Sequence, residues 1–329
     1  MKKIINHVDD LLDESLKGFA IAHQDTVAFN RTPRFIWRKQ VSRKPKVALV
    51  SGGGSGHEPL HAGLVGQGML DAACPGQVFT SPTPDQMLAA AEQVENGAGV
   101  LFIVKNYAGD VMNFEIAAEM LDTENATVLV ADDVSLPADH STGRRGVAGT
   151  LIVEKIVGAA AEQGFDLHAC KAIGERVAKN TASMGLALTS CTVPAAGKPT
   201  FTIGDDEVEI GVGIHGERGR EITKLVEANQ LISKLTETID KELQPKAGQK
   251  VLLHVNGLGG TPLMELYLVF EIAAKYWQDK GVEIHRSLVG NFTTSLDMAG
   301  CSVTLTLLDD ELTALWDAPV HTAALRWGC

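Results

Sequence analysis

Basic charge, aromatic rings, paired cysteines and long apolar runs are all scarce in this chain, and each shortage removes a class of function. Lysine and arginine number 29 against 41 aspartates and glutamates, a formal charge of −12. Phosphate backbones demand a basic face, so unaided nucleic-acid binding is excluded and a protein acting on small molecules is left. No apolar run reaches the roughly 18 residues that a bilayer span requires. Met1 to Asp10 begins with a basic pair but meets Asp9 and Asp10 before any sustained apolar stretch, so no signal peptide is expected and the expected location is cytoplasmic. The five cysteines, Cys74, Cys170, Cys191, Cys301 and Cys329, are odd in number, scattered and never spaced as C-x-x-C. That pattern disfavours a disulfide framework and a zinc site, and predicts reduced cysteines that pack as small apolar residues.

What is present is apolar bulk and glycine: 45% hydrophobic residues and 33 glycines in 329 residues. This suits an α/β protein with about two domains. Residues 5–20 carry Ile5, Val8, Leu11, Leu12, Leu16 and Phe19 near helical spacing and predict an amphipathic opening helix. Buried-strand runs at 46–51, 99–104 and 126–131, each followed by a turn and a helical segment, predict parallel strands. Helices are expected from Thr83-Pro84 onward, with threonine as N-cap and proline at the first position, at Asp110 to Leu121 and at Val147 to Gln163. After Ser183 the style changes to short strands at 186–189, 201–203 and 208–210, broken by Pro194, Gly197 and Pro199. A boundary is therefore expected there, between an N-terminal layered α/β domain with a mostly parallel sheet (1–183) and a smaller two-layer α/β, or α+β, domain (184–329). The second domain is read as a long helix at about 220–241, then strand 250–256, helix 262–279 and strands 282–289 and 302–308.

Three stretches carry candidate chemistry. In Val47 to Pro59, an apolar run breaks into Ser51-Gly52-Gly53-Gly54-Ser55-Gly56-His57. Glycines there would free the backbone to crowd N–H groups around a polar ligand, and a following helix would put those groups at its N-terminus. Neither nucleotide fingerprint fits: a P-loop needs Gly-Lys-Ser/Thr where Gly56-His57 stands, and His57 occupies the third glycine of G-x-G-x-x-G counted from Gly52. A tight turn with glycines for packing is the alternative. The second stretch, Lys105-Asn106-Tyr107-Ala108-Gly109-Asp110, follows a strand run, and loops at the carboxyl ends of parallel strands share one crevice. Lys105 and Asp110 should then lie near Gly54 and His57, although Asp110 as a helix N-cap and Lys105 as a solvated charge are the plain alternatives. In the third, Gly211-Val212-Gly213-Ile214-His215-Gly216-Glu217, small neighbours leave an imidazole accessible, and its neutral nitrogen could attack a carbonyl. A satisfied core histidine is the competing reading.

Weaker features are Arg144-Arg145, open to an anion, an acidic partner or plain solvation, and Asp132-Asp133, adjacent carboxylates that point apart on a strand end and show no third metal ligand. Asn256 to Pro262 repeats the strand, glycine turn and helix theme without a titratable group and reads as architecture or a subunit contact.

Across nearly its whole length the chain resembles the dihydroxyacetone-binding K-subunit family of dihydroxyacetone kinases, of the bacterial phosphotransferase-dependent type. The resemblance is carried by Ser51 to Pro59, Phe79-Thr80-Ser81-Pro82-Thr83-Pro84-Asp85, Lys105-Asn106-Tyr107, Gly143 to Val147, Cys191 to Pro199, Gly211 to Glu217 and Trp316 to Thr322. It implies that His215 bonds covalently to the carbonyl carbon of dihydroxyacetone as a hemiaminal. It further implies that Gly54, Ser55, Gly56, His57, Lys105 and Asp110 hold the hydroxyls, with Asp110 as base and His57 assisting adduct formation. Single-chain ATP-dependent relatives carry a further nucleotide domain, so the resemblance implies a separate L subunit holding ADP and magnesium, with no cofactor and no metal on this chain. A phosphotransferase-system protein would rephosphorylate that subunit, and a homodimer is implied. Glu217-Arg218-Gly219-Arg220 departs from relatives that often place proline after the glutamate, which bears on the rim beside His215. Competing classes are a non-catalytic paralogue that senses dihydroxyacetone for a transcription regulator, and a nicotinamide-dependent oxidoreductase, which lacks its fingerprint.

Overall fold

The computed structural model describes residues 2–40, 42 and 44–329. The chain is of α/β class and divides into two compact units, each discontinuous in sequence. One comprises residues 1–130, 150–176 and 312–329, the other 131–149 and 177–311.

In the first unit, α1 (Leu11–Ala22) precedes an antiparallel pair, β1 (Val27–Asn30) and β2 (Phe35–Arg38). Then come β3 (Ala48–Ser55), the short β4 (Gly66–Gln67), β5 (Ala72–Val78), α2 (Pro84–Val94), β6 (Val100–Lys105), α3 (Ala108–Met120) and β7 (Asn125–Val130). The sheet runs β1-β2-β5-β3-β6-β7, and its β5-β3-β6-β7 portion is parallel. Apolar residues on β3 and β6 form near-continuous buried runs, as strands covered on both faces require. On one face Met87, Ala90 and Ala91 of α2 and Phe114 and Ala117 of α3 pack against Val50, Phe102 and Val104. Each fully buried Val, Phe or Met of this kind contributes about 1.5–3 kcal/mol. The α2 start is as the sequence predicts: Gln86 accepts the Thr83 N–H at 3.0 Å, while its amide donates to Arg34 and Pro75 carbonyls. After β3 the chain adds β5 on one side and β6 on the other, so the order reverses at β3 and a crevice opens at its carboxyl end. The helices α4 (Gly149–Glu162) and α5 (Leu167–Lys179) follow.

The second sheet runs β10-β9-β8-β13-β11-β12, antiparallel except for the β11/β12 pair. Its strands are β8 (Thr181–Ala187), β9 (Glu207–Ile210), β10 (Glu221–Lys224), β11 (Lys250–Gly257), β12 (Glu283–Gly290) and β13 (Gly300–Leu307), with α6 (Ala228–Leu243) before β11 and α7 (Leu263–Gln278) after it. Leu235, Ile239, Ala273 and Trp277 of these helices cover Met184, Leu253, Val255, Val303 and Leu305. The alternate positions of the same strands are buried hydroxyls that pair across the sheet, Ser183 with Thr304 at 2.6 Å and Thr181 with Thr306 at 2.9 Å. The chain then returns to the first unit through α8 (Asp310–Asp317), β14 (Val320–Thr322) and β15 (Arg326–Trp327), with β14 pairing to β4. Among the described residues no helix is long and apolar enough to cross a membrane.

Several expectations shift. Position 183 lies inside β8, so a cut there would divide a strand whose neighbours are β9 and β13. The expected helix over 220–241 begins with β10, because Glu221 to Lys224 pair with Ile210 to Glu207, and only then becomes α6. No strand forms at 201–203. The opening helix starts at Leu11 rather than near residue 5. Asn256 is architectural: its buried amide accepts the Phe292 and Thr293 N–H groups and donates to the Thr293 carbonyl.

Candidate functional site

In the first unit the glycine run is not a loop. Gly52, Gly53 and Gly54 lie within β3, and of the run only Gly56 has a left-handed backbone, φ 102°. Their function is close approach. A Cβ on Gly52 would meet the Cys74 carbonyl, one on Gly53 would strike the Lys105 ammonium, and one on Gly54 would press on the backbone of Phe79 and Thr80. No α-helix follows; residues 57–61 turn into a 3-10 segment, Ala62–Leu64, so the expected helix N-terminus is absent. The carboxylate of Glu58 takes the Gly56 N–H instead, at 3.0 Å.

Around this strand the predicted residues gather. Lys105, last residue of β6, is fully buried rather than solvated. It donates to the Gly52 carbonyl at 3.1 Å and stands 3.7 Å from the carboxylate of Asp110. Asp110 is not the N-cap of α3; Tyr107 is, which puts Asp110 in the first turn, where the helix dipole favours an anion. It is 2% exposed and accepts a short hydrogen bond from the Ser81 hydroxyl. His57 is buried and stacks on Phe79, ring centroids 5.1 Å apart. Ser55 donates its hydroxyl to the Gly76 carbonyl at 2.7 Å. The loop after β5 thus joins the cluster through Phe79, which stacks on His57, and Ser81, which holds Asp110. A cavity of about 330 Å³ adjoins, walled by Gly53, Gly54, Glu58 and His61 and by Leu16 and Phe19 of α1.

Sequence reasoning missed His61 and Glu154. Lys105 Nζ lies 2.8 Å from His61 Nε2, and His61 Nδ1 lies 2.5 Å from Glu154 Oε1. Burial, aided by the Lys105 charge, holds the His61 imidazole well below its ordinary pKa; burial pushes the Glu154 carboxyl up to about 8, against the pull of Lys105. The signal was available: Glu154 sits in the apolar run Leu151-Ile152-Val153-Glu154-Lys155-Ile156-Val157, where a charge has no solvent to face.

In the second unit His215 lies on the loop between β9 and β10 and is partly exposed, not a core histidine. Glu217 reaches back to accept the His215 backbone N–H at 2.7 Å and pairs with Arg145 at 3.1 Å. Arg145 also holds Asp133 at 2.6 Å, the Ser135 hydroxyl and the Gly211 carbonyl. A Cβ on Gly213 would collide with the Glu217 carboxylate, so this arrangement requires glycine there; Gly216 has φ 71°. The adjacent carboxylates have separate duties. Asp132 takes the N–H groups of Val147 and Gly149 at 2.8 Å, while Asp133 serves Arg145. Burial raises both above the usual carboxylate range, opposed for Asp132 chiefly by the Ser183 hydroxyl and for Asp133 chiefly by the Arg145 charge. Arg144 meets Glu242 in a two-pronged pair at 2.7 and 2.8 Å.

The Dak1 domain model matches residues 17–324. The chain is 47% identical to the PEP-dependent dihydroxyacetone kinase, dihydroxyacetone-binding subunit DhaK, of Escherichia coli K12, over all of both chains. It is 49% identical to the corresponding subunit of PTS-dependent dihydroxyacetone kinase 1 of Listeria innocua, covering 94% of this chain and 95% of the relative. Among solved structures it is similar to the dihydroxyacetone kinase operon co-activator Dha-DhaQ, with TM-score 0.89, 33% identity and 94% and 96% of the two chains covered. The dihydroxyacetone kinase of C. freundii aligns with TM-score 0.86 and 34% identity, over 98% of this chain and 60% of the other.

Proposed function

The chain belongs to the Dak1 domain family, and on that premise we propose that it is the dihydroxyacetone-binding subunit of a dihydroxyacetone kinase, a phosphotransferase. A separate L subunit, carrying ADP and magnesium and recharged by a phosphotransferase-system protein, supplies the phosphoryl group. The observation that carries the reading is the buried carboxylate of Asp110, held by Ser81 and Lys105 over a strand stripped of side chains. Phosphoryl transfer asks a protein mainly for positioning and charge stabilisation. Asp110 accepts the proton of the substrate hydroxyl as that oxygen attacks phosphorus. Lys105, His57 and the backbone of Gly54, Ser55 and Gly56 orient the hydroxyls.

His215 captures the ketone. A bare ring nitrogen bonds to the carbonyl carbon, the carbonyl oxygen gains one proton and the ring gives one up, so the adduct weighs the sum of its parts. His57 assists these proton movements. Covalent capture selects a ketone over glycerol, which has no electrophilic carbon. Mass spectrometry of the intact protein with dihydroxyacetone, under conditions that preserve the adduct, is expected to show one added ketone, and His215→Ala none. A wild type that binds no ketone overturns the reading.

A second reading draws on the Dha-DhaQ likeness: a dihydroxyacetone sensor that controls a transcription regulator. Reconstitution with the L subunit and its phosphodonor separates the two, because a pure sensor takes up ketone but yields no dihydroxyacetone phosphate. A homodimer is part of the leading reading, and sedimentation of the purified chain tests it.

A further inference from the structure

We propose that His61 and Glu154 are positioning residues for this reaction, which fix the Lys105 ammonium between Gly52 and Asp110 by holding the His61 ring in its Nδ1–H tautomer. The inference rests on the kinase reading above and adds to it two residues outside the family resemblance drawn from the sequence.

The geometry decides the tautomer twice. An ammonium has three donors and no lone pair. Lys105 spends one N–H on the Gly52 carbonyl and faces Asp110 with another, so His61 Nε2, at 2.8 Å, accepts the third. A neutral ring that accepts at Nε2 carries its proton on Nδ1. From the other side, the Ser51 hydroxyl donates to the Ile103 carbonyl at 2.7 Å, so its oxygen presents a lone pair to His61 Nδ1 at 3.1 Å. Glu154 Oε1, at 2.5 Å, is the second acceptor for the same proton. Both neighbours of Nδ1 therefore accept, and only an Nδ1–H satisfies them.

Burial raises the stakes. Lys105, Glu154 and Ser51 are fully buried and His61 is 5% exposed, so a mismatched donor or acceptor among them carries the cost of desolvation. With Glu154 as acceptor the ring cannot turn its proton toward Lys105, which would set two donors against each other. A proton on Oε1 would make Glu154 the donor and turn the ring's own N–H onto the Lys105 ammonium, so the Lys105 contact selects the state in which Oε1 accepts, and the position requires an acceptor oxygen. The Lys105 ammonium is thereby pinned from β3 and from α4, and it in turn fixes where the Asp110 carboxylate lies.

Two measurements test this. In 15N-histidine spectra of the wild type, with the His61 signal assigned by its loss in His61→Gln, Nδ1 is expected to be protonated and Nε2 bare; the reverse pattern overturns the proposal. In the reconstituted assay, Glu154→Leu is expected to lower kcat about 10- to 100-fold, since small misplacements at a reacting centre cost that much. The His215 adduct should still form, and Glu154→Gln, which keeps an acceptor oxygen, should recover most of the loss. Equal kcat for Glu154→Leu and wild type overturns the proposal, as does a loss in Glu154→Gln as deep as in Glu154→Leu. Should the leucine variant fail to fold, the wild-type tautomer decides. A wild type without turnover would remove the kinase reading, and the tautomer measurement needs no turnover, so the two failures are distinguishable.

Discussion

Asp110→Asn is expected to lower turnover of dihydroxyacetone by about 10²- to 10⁴-fold, the usual worth of a positioned general base. Asparagine keeps the size of the side chain, and its one amide oxygen can still accept the Ser81 hydroxyl, while its NH2 takes the place of the oxygen that faces Lys105. The change therefore removes the proton acceptor with little disturbance of packing around a residue that is 2% exposed. Formation of the His215 adduct should survive, because Asp110 is assigned to the transfer step and not to capture of the ketone. The coupled assay with L subunit and phosphodonor reads the first quantity and intact-protein mass the second. Turnover within threefold of wild type would remove Asp110 from the role of base. Loss of adduct and turnover together would move it to ketone binding.

Arg145→Leu should produce the largest loss of stability, about 3–5 kcal/mol, because removing one partner of a buried ion pair strands the other. Asp133 has a side chain only 2% exposed, and Arg145 supplies its opposing charge. Burial already pushes the Asp133 carboxyl above its ordinary range, and without the guanidinium the hydrogen bonds from Ser135 are left to offset that penalty. Scanning calorimetry should show the melting temperature lowered by roughly 4–7 °C, at about 1.4 °C per kcal/mol given an unfolding entropy of about 2.1 cal/mol/K per residue. Replacing Asp133 with leucine in the same chain should recover part of the loss, since the stranded charge is then gone. The His215 adduct should also form more slowly, as Glu217 loses its pairing with Arg145 and with it the fixed acceptor for the His215 N–H. A melting temperature within 2 °C of wild type would show that the pair contributes nothing to the fold.

Arg145 also marks where sequence reading stops. As a letter beside Arg144 it is open to an anion, a partner or solvent; in the structure it is enclosed by Asp133, Ser135, Gly211 and Glu217. The accessibility of the His215 imidazole was legible because its signal is local, with small residues at 213 and 216 beside a ring that is partly exposed. The α2 start was legible for the same reason, since a capping threonine, a proline and a glutamine follow one another within four residues. The segment 220–241 misled because Glu221 to Lys224 has apolar and polar residues compatible with either period, and pairing with β9 settled it.

The sequence by itself determined the α/β class, the succession of strands and helices in the first half, the family resemblance and the gathering of Lys105 and Asp110 at the end of a strand. Each depends on residue spacing or on the rule that parallel strands share one carboxyl edge. Only the tertiary structure decided that the three glycines are part of β3, that Lys105 is buried, and that His61 meets Glu154 across 93 residues of chain. The physical reason is that a buried polar group must find a partner, and which partner it finds is set by the order of strands and the packing of α4, not by its neighbours in sequence.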